Sequence, residues 1–260
     1  MKREEGDSMQ QRDVMYHIGL CREQLEGAEY AILPGDPGRT PKIAAMLERP
    51  QPLGQNREYN SFLGRIAEKP VVVCSTGIGG PSAAICVEEL YQLGVRNFVR
   101  VGTCGGMQLD VQAGDIVIAT GAIRMEGTSR EYLPVEFPAV ADFALCTKLY
   151  AAAQKYGYRC HTGVVQCKDS FYGQHSPARM PVSYELQQKW EAWKRGGCLA
   201  SEMESAALYT VCAALGARAA TVLLTVWNQE REAARLDQQE THDTERAIRV
   251  AVEGLRLELA

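Results

Sequence analysis

Short apolar stretches alternate with longer amphipathic stretches along most of this sequence. The apolar stretches are rich in β-branched residues, which predicts strands, whereas the amphipathic stretches predict helices. The predicted strands are Tyr30–Leu33, Pro70–Ser75, Asn97–Val101, Ile116–Arg124, Cys160–Cys167 and Arg218–Trp227. The predicted helices are Thr40–Leu47, Pro81–Leu93, Ala139–Tyr156, Tyr184–Arg195, Ser201–Leu215 and Thr241–Leu257. This alternation is typical of a single α/β domain in which helices flank a central parallel or mixed sheet.

The length fits one large domain or two small ones. The chain has 260 residues, of which 46% are hydrophobic, so a sizeable core can form. Because no internal repeat, low-complexity block or linker divides it, we predict a flexible tail over residues 1–13 and one catalytic domain over 14–260. Long loops are predicted at Gly127–Pro138, Tyr172–Ser183 and Asn228–Glu240, where they could form the walls of an active site.

Charge and cysteine content narrow the class of protein. A net charge of −4, from 28 basic and 32 acidic residues, disfavours a general nucleic-acid binder. The nine cysteines include no Cys-x-x-Cys pair, which argues against a disulfide framework or a zinc site and favours a reduced compartment. No apolar run reaches the length of a membrane span, and the first residues lack the apolar core of a secretory signal. We therefore expect a cytoplasmic protein with neither a membrane nor a nucleic acid as partner.

Three separated segments each offer an arginine to a phosphate group. Arg39 follows a turn that contains Gly35, Arg100 precedes a glycine-rich stretch with Thr103, and Arg57 lies in a polar stretch. Glycine lets backbone N–H groups approach an anion closely, and a guanidinium adds a planar set of donors. Each signal alone has a simpler interpretation, such as a common turn or a surface charge. Together they predict a phosphate site, although neither a Walker loop nor a dinucleotide fingerprint is present.

The segment 202–205 offers carboxylates that could hold the hydroxyl groups of a sugar. Glu202 and Glu204 cannot share one face of a regular helix, but they would do so if the chain is extended before Ser205. Met203 has the spacing of a helical core residue as well as that of a sugar contact. Glu204 is the stronger candidate, and Glu202 the second.

Several of these motifs resemble the uridine phosphorylase branch of the nucleoside phosphorylase family. The resemblance extends from about Val14 to Leu257, with the motifs in the family's order. The matching segments are Pro34-Gly35-Asp36-Pro37, Cys74 to Ser82, Arg100-Val101-Gly102-Thr103, Asp169-Ser170-Phe171-Tyr172 and Glu202-Met203-Glu204-Ser205.

The resemblance implies a single-domain α/β enzyme that assembles as a homohexamer, a trimer of dimers in which partners share active sites. It implies phosphate-binding roles for Gly35, Arg39, Arg57, Arg100 and Thr103, with Arg57 donated across the dimer interface. It implies ribose-binding roles for His17 of the partner and for Met203 and Glu204, and Glu202 stays the second ribose-binding candidate from the segment itself. Phe171 and Gln174 match base-binding positions, and Cys104, Gly105 and His175 are further base-binding candidates. Some members hold a monovalent cation such as K⁺ at the dimer interface, at positions that match Glu58, Ile78 and Ser82.

The chain departs from the family pattern where the base is held. A Gln-x-Arg stretch is usual there, but this chain has Ser176 at the arginine position, two residues after Gln174. We hypothesise that His175 replaces the missing arginine, with Arg179 or Arg231 as the alternatives. Cys104 also stands where a threonine is usual.

The predicted function is reversible phosphorolysis of uridine to uracil and ribose 1-phosphate, with Arg100, Glu204 and His175 as the catalytic residues. Inorganic phosphate is the co-substrate, and the chemistry requires no other cofactor. A phosphorylase for deoxyuridine, thymidine or a purine nucleoside, a hydrolytic nucleosidase, and a non-enzymatic nucleoside or phosphate sensor are the alternatives. The purine enzymes of the family place an aspartate after the strand that ends at Trp227, and this chain has none there.

Overall fold

A computed structural model describes residues 14–260, so the tail predicted over 1–13 lies outside the described residues and stays a prediction. The strands are β1 (Tyr30–Pro34), β2 (Glu48–Asn56), β3 (Tyr59–Ile66), β4 (Lys69–Cys74), β5 (Asn97–Gly106), β6 (Ile116–Met125), β7 (Ala139–Val140), β8 (Cys160–Lys168), β9 (Ala200–Glu202) and β10 (Arg218–Asn228). The helices are α1 (Thr40–Ala44), α2 (Gly80–Leu93), α3 (Thr128–Tyr132), α4 (Phe143–Lys155), α5 (Phe171–His175), α6 (Ser183–Arg195), α7 (Ser205–Leu215), α8 (Gln229–Ala233) and α9 (Glu245–Leu259).

The described strands form one mixed sheet, as the sequence predicted. Strand β1 pairs in parallel with both β4 and β5, while β2, β3 and β4 are antiparallel neighbours. Strand β10 pairs with both β5 and β6, and the series continues through β8 and β9 back to β5. Five strands therefore close into a ring, and the carboxyl ends of β1, β5 and β10 lie together.

Helices cover both faces of this sheet. Apolar residues of α2 and α7 pack in one buried cluster, which includes Leu90, Leu208 and Tyr209. Residues of α4 and α9 pack in a second cluster, which includes Leu149 and Ile248. Among residues 14–260, no helix combines the length and the apolar character that crossing a lipid bilayer requires.

Several element boundaries differ from the prediction for identifiable reasons. The helix predicted from Ala139 begins at Phe143, because the carboxylate of Asp142 caps it by accepting the N–H of Leu145 at 2.9 Å. The helix predicted from Ser201 begins at Ser205, and the residues before it form β9. The hairpin of β2 and β3 was not predicted, because the residues of β2 are polar and mostly exposed and its turn lacks glycine.

Candidate active site

A cleft of about 1310 Å³ opens where the carboxyl ends of β1, β5 and β10 meet β9. This is the edge of an open α/β sheet at which ligands usually bind. The cleft is lined by most of the residues that the sequence singled out: Gly35, Arg39, Glu58, Ile78, Ser82, Arg100, Thr103, Cys104, Gly105, Phe171, Gln174, His175, Glu202, Met203 and Glu204.

Arg100 is buried at one end of the cleft, where other site residues surround it. The sequence predicted a strand that ends at Val101, which would place Arg100 near its end. The observed strand β5 continues to Gly106, so Arg100 lies within it. Its Nε donates to Oε2 of Glu202 at 3.3 Å, and its Nη2 donates to Oε2 of Glu204. Its Nη1 is buried and has no hydrogen-bond partner among the described residues. A buried donor without a partner is costly, so this atom is suited to an anionic ligand.

Gly35 lies close to this unpartnered donor. A Cβ atom added to Gly35 would be 3.1 Å from the carbonyl oxygen of Gly77 and 3.9 Å from Nη1 of Arg100. A larger residue would therefore reduce the space beside the guanidinium. Burial, followed by the positive charge of Arg100, lowers the pKa of Arg39. An anion between the two guanidinium groups would relieve their mutual repulsion.

Glu202 and Glu204 both reach Arg100 because the chain between them is not helical. Glu202 is the last residue of β9, and its carboxylate accepts the backbone N–H groups of Glu204 and Ser205 at 3.0 Å. Oε1 of Glu204 accepts the backbone N–H of Gly79 at 2.6 Å. Burial raises the pKa of Glu204, and the charge of Arg100 opposes this shift. The chain is extended as far as Glu202 and bends over Met203 and Glu204 before the helix begins at Ser205, and this non-helical path lets both carboxylates reach Arg100.

The opposite end of the cleft contains the residues predicted to hold the base. The rings of Phe171 and His175 lie 4.3 Å apart between centroids. Oε1 of Gln174 accepts a hydrogen bond from the hydroxyl of Ser201 at 2.7 Å, and its Nε2 donates to Gln229 at 3.1 Å. Burial, followed by the positive charge of Lys168, lowers the pKa of His175.

Two further predicted base contacts lie on β5 beside Gln174. Burial raises the pKa of the Cys104 thiol to about 12, so this residue is a neutral thiol at neutral pH. Its Sγ lies 3.6 Å from Oγ1 of Thr225. A Cβ atom on Gly105 would be 3.8 Å from Nε2 of Gln174, so the glycine leaves the amide room to move.

The two other arginines considered for the base do not line the cleft. The guanidinium of Arg179 lies over the ring of Tyr172, 5.0 Å from its centroid. Arg231 donates to the carbonyl oxygens of Leu109 and Asp237, at 2.7 Å each. Neither side chain is placed to replace the missing arginine in this structure.

His17 and Arg57 lie outside the cleft but next to each other on the surface. Oε1 of Glu89 lies 2.6 Å from Nδ1 of His17, and Nη2 of Arg57 lies 3.5 Å from the hydroxyl of Tyr16. Asn56, which precedes Arg57, donates to the carbonyl oxygen of His17 at 2.8 Å. Within one chain, therefore, both residues lie near Tyr16 and apart from the cleft that contains Arg100 and Glu204.

Glu58, Ile78 and Ser82 lie together at the rim of the cleft. The hydroxyl of Ser82 lies 2.8 Å from Oε1 of Glu58 and also close to the carbonyl oxygen of Thr76. The hydrogen bonds from its own backbone and from Ser82 lower the pKa of Glu58, so it is a carboxylate at neutral pH. Within residues 14–260, no group of three or more His, Cys, Asp or Glu side chains is placed to hold a metal ion.

A family model described as the phosphorylase superfamily matches residues 29–256. The chain belongs to the phosphorylase superfamily. Uridine phosphorylase of Treponema pallidum (strain Nichols) is 56% identical over 245 residues, which cover 94% of each chain. Uridine phosphorylase of Escherichia coli (strain K12) is 42% identical over 95% of this chain and 99% of that protein. Guanosine phosphorylase of Halorubrum lacusprofundi is 38% identical over 91% of this chain and 96% of that protein. The family assignment made from the motifs is confirmed.

Several residues that line this cleft were not singled out by the sequence analysis. Lys168 and Ser201 are buried beside Gln174, and Trp227 and Gln229 follow from β10. The sequence contained one signal for Lys168, since it is a lysine that directly continues the apolar stretch of β8. A lysine at the end of a buried strand is either exposed at the sheet edge or directed into a site, and only the structure decides between these.

Proposed function

We propose that this chain catalyses the reversible phosphorolysis of uridine to uracil and ribose 1-phosphate, as a pentosyltransferase. Two similar proteins that match nearly the whole chain are named uridine phosphorylase, which supports this substrate. The observation that best supports the reaction type is the buried, unpartnered Nη1 of Arg100, which lies near Gly35. The other nitrogens of this guanidinium bind two sugar-compatible carboxylates, those of Glu202 and Glu204. A hydrolytic enzyme would have less need for such an anion site.

Phosphate would occupy the end of the cleft at Arg100. In this proposal Arg39 and Arg100 supply the positive charge, Gly35 the backbone approach and Thr103 a hydroxyl donor. Because Nη1 of Arg100 has no partner among the described residues, it can donate to phosphate without breaking its bonds to Glu202 and Glu204. Arg57 would add a third guanidinium from the partner subunit of a dimer.

Ribose would lie over the segment 202–204. Glu204 would accept hydrogen bonds from the ribose hydroxyl groups, and the half-buried Met203 would pack against the sugar. Glu202 is bound to two backbone N–H groups and to Arg100, so its role in this proposal is to fix the position of both. His17 of a partner subunit would contact the 5′ end of the ribose.

The base would be bound at the far end by Phe171, Gln174 and His175, with Cys104 and Gly105 beside it. Phe171 offers an aromatic face, and it is half exposed within the cleft. The carboxamide of Gln174 offers one donor and one acceptor, which match the amide edge of uracil. His175 is neutral at neutral pH by the direction of its pKa shift and can donate from one ring nitrogen.

The reaction follows from this placement. Phosphate attacks C1′ of the ribose from the face opposite the base, and the bond from C1′ to N1 breaks as the sugar gains oxocarbenium character. The dianion stabilises that positive charge, and holding it in position can contribute about 7–11 kcal/mol at best. The leaving base takes the electron pair of the broken bond, so donors around it stabilise the transition state.

A homohexamer built from dimers, with K⁺ at Glu58, Ile78 and Ser82, completes the proposal. His17 and Arg57 lie near each other through Tyr16 and Asn56, away from their own cleft, and this placement supports a site shared between subunits. The nucleoside and inorganic phosphate are the only ligands that the reaction consumes, and no other cofactor enters it.

A guanosine phosphorylase among the similar proteins makes purine nucleosides the second candidate substrate. The side chain of Asn228, at the position where purine enzymes place an aspartate, is fully engaged. Its Nδ2 donates to the carbonyl oxygens of Gln108 and Val111 at 2.8 Å, and its Oδ1 caps α8. A carboxamide has no proton acidic enough to transfer to a purine, and these bonds also leave Asn228 no free donor toward the base, which favours a pyrimidine.

The test is a panel of uridine, deoxyuridine, thymidine and guanosine, each incubated with and without inorganic phosphate and analysed for free base. We expect release of uracil from uridine, dependent on phosphate and accompanied by ribose 1-phosphate. Base release without phosphate would support a nucleosidase, and base release only from guanosine would support the purine candidate. No product with any nucleoside, together with measurable nucleoside binding, would support a sensor.

A further inference from the structure

Lys168 is a buried cation at the base end of the cleft. It is the last residue of β8, and only 4% of its surface is exposed. Its Nζ donates to Oγ of Ser201 at 2.7 Å and to the carbonyl oxygen of Glu202 at 3.5 Å. No carboxylate among the described residues forms an ion pair with it, although Glu202 and Glu204 lie in the same cleft.

An ammonium group in such a place is unusual, because buried charges are normally paired. Burial lowers the pKa of Lys168, while the negative charge of Glu202, and then that of Glu204, acts in the opposite direction. An ammonium has three protons to donate, and one strong and one long hydrogen bond leave part of this capacity for a ligand.

Hydrogen bonds connect Lys168 to the residue predicted to hold the base. The hydroxyl of Ser201 lies 2.7 Å from Nζ of Lys168, 2.7 Å from Oε1 of Gln174 and 2.6 Å from Oε1 of Gln166. A hydroxyl has a single proton, so it can donate to only one of the two amide oxygens at a time. The amide of Gln174 can therefore turn toward a ligand while Ser201 continues to hold Lys168.

Lys168 is also better placed than the other cations considered for the base. Arg179 and Arg231 do not line the cleft, and Arg100 is bound to Glu202 and Glu204 at the phosphate end. His175 does line the cleft, but its pKa is lowered, partly by the charge of Lys168 itself.

We propose that the ammonium group of Lys168 contacts a ring carbonyl oxygen of the leaving uracil and stabilises the negative charge that forms there. The proposal rests on uridine phosphorolysis as the reaction. When the bond from C1′ to N1 breaks, its electron pair moves to N1 and is delocalised onto the two carbonyl oxygens. A phosphate oxygen forms the new bond to C1′. Lys168 stays protonated throughout, and the uracil anion takes a proton from solvent after release.

The experiment compares uridine with 5-fluorouridine in the Lys168→Met variant at saturating phosphate. The fluorine withdraws electrons and makes the leaving base a more stable anion, so its departure needs less help. We expect the kcat for uridine to fall about 100-fold or more, in the range found when one donor to a developing anion is removed. The kcat for 5-fluorouridine should fall about tenfold less, and the KM for phosphate should not change.

Two further variants separate this role from a structural one. Lys148→Met removes a lysine of α4 whose Nζ binds the carbonyl oxygen of Leu257, and it should leave both rates unchanged. Lys168→Gln keeps a donor toward Ser201 without the charge, and it should show the same selective loss as Lys168→Met. An equal loss for both nucleosides in folded variants would overturn the proposal, because a structural role does not depend on the leaving group.

The unmodified enzyme gives a reading that does not depend on how the variants fold. With the cation in place, 5-fluorouridine should react no more than about tenfold faster than uridine at pH 6.5. A much larger preference would show that the leaving base is not stabilised and would overturn the role of Lys168. Absence of any phosphate-dependent cleavage of uridine by the unmodified enzyme would instead overturn the proposed function.

Discussion

Nδ1 of His17 lies 2.6 Å from Oε1 of Glu89, a residue 72 positions further along the chain. The same carboxylate accepts the backbone N–H groups of His17 and Ile18. The imidazole is therefore held by one nitrogen, which directs the other ring nitrogen, Nε2, away from Glu89. A histidine fixed in this way on the surface is suited to reach a ligand in a neighbouring subunit.

Mixed dimers should reveal sites shared between subunits. His17→Ala and Glu204→Ala should each be inactive, because one removes the partner's ribose contact and the other the ribose carboxylate. When subunits of the two variants exchange, one site of each mixed dimer has both residues. We expect recovery of about a quarter of the wild-type activity after equal mixing. Arg57→Ala should behave like His17→Ala, whereas no recovery in subunits shown to exchange would mean that each chain builds its own site.

Arg100→Ala should weaken the use of phosphate. A hydrogen bond to a charged group contributes about 1.5–3 kcal/mol. Its loss therefore corresponds to a fall of about 10- to 100-fold in kcat/KM for phosphate. Arg100→Lys keeps the charge but not the planar set of donors, so it should recover only part of the loss. The control is Arg195→Ala, which removes an exposed arginine bound to Glu191 on α6. Initial rates at varied phosphate measure the effect, and an unchanged phosphate KM in Arg100→Ala would remove this residue from the site.

His175 should affect uridine turnover rather than phosphate binding. Because burial lowers the pKa of His175, it loses its proton below the ordinary value of about 6.5. If the charged form assists the leaving base, the rate falls as the pH rises through this lowered pKa, and His175→Arg should flatten that fall. His175→Ala should reduce kcat with phosphate affinity nearly unchanged. Profiles of kcat against pH from 5 to 8 provide the measurement, and full turnover in His175→Ala would mean that another group holds the base.

Potassium should stabilise the protein through Glu58. A cation that binds only the folded state raises the melting temperature, and 1 kcal/mol corresponds to about 2–4 °C in a protein of this size. We expect a shift of this order in potassium chloride relative to tetramethylammonium chloride at equal ionic strength. Glu58→Gln should abolish the shift, whereas Glu191→Gln on the exposed face of α6 should keep it. Equal melting temperatures of the unmodified protein in both salts would argue against a cation at this position.

The sequence predicted the strands β1, β4, β5, β6, β8 and β10 and most of the cleft because their signals are local. Glycines and arginines next to apolar stretches mark the ends of strands, whereas the geometry of 202–205 was only partly predicted, because the helix predicted from Ser201 begins at Ser205 and Glu202 ends a strand. The only local signal for Lys168 is its place at the end of an apolar stretch, and its burial depends on how β8 and β9 pair. The hydrogen bond between His17 and Glu89 was not predicted either, because no local sequence pattern connects two residues that are 72 positions apart.

The carboxylate of Glu204 is held by Gly79, which is 125 positions away in the chain, and by Arg100, which is 104 positions away. Contacts between such distant residues form only after long loops have closed, which slows folding. The ribose and phosphate ends of the cleft therefore depend on the same long-range contacts, as does the pairing of β5 with β10. During refolding, the return of activity would report completion of the whole domain, and a fragment that ends before β9 would contain Arg39 and Arg100 but no partial site.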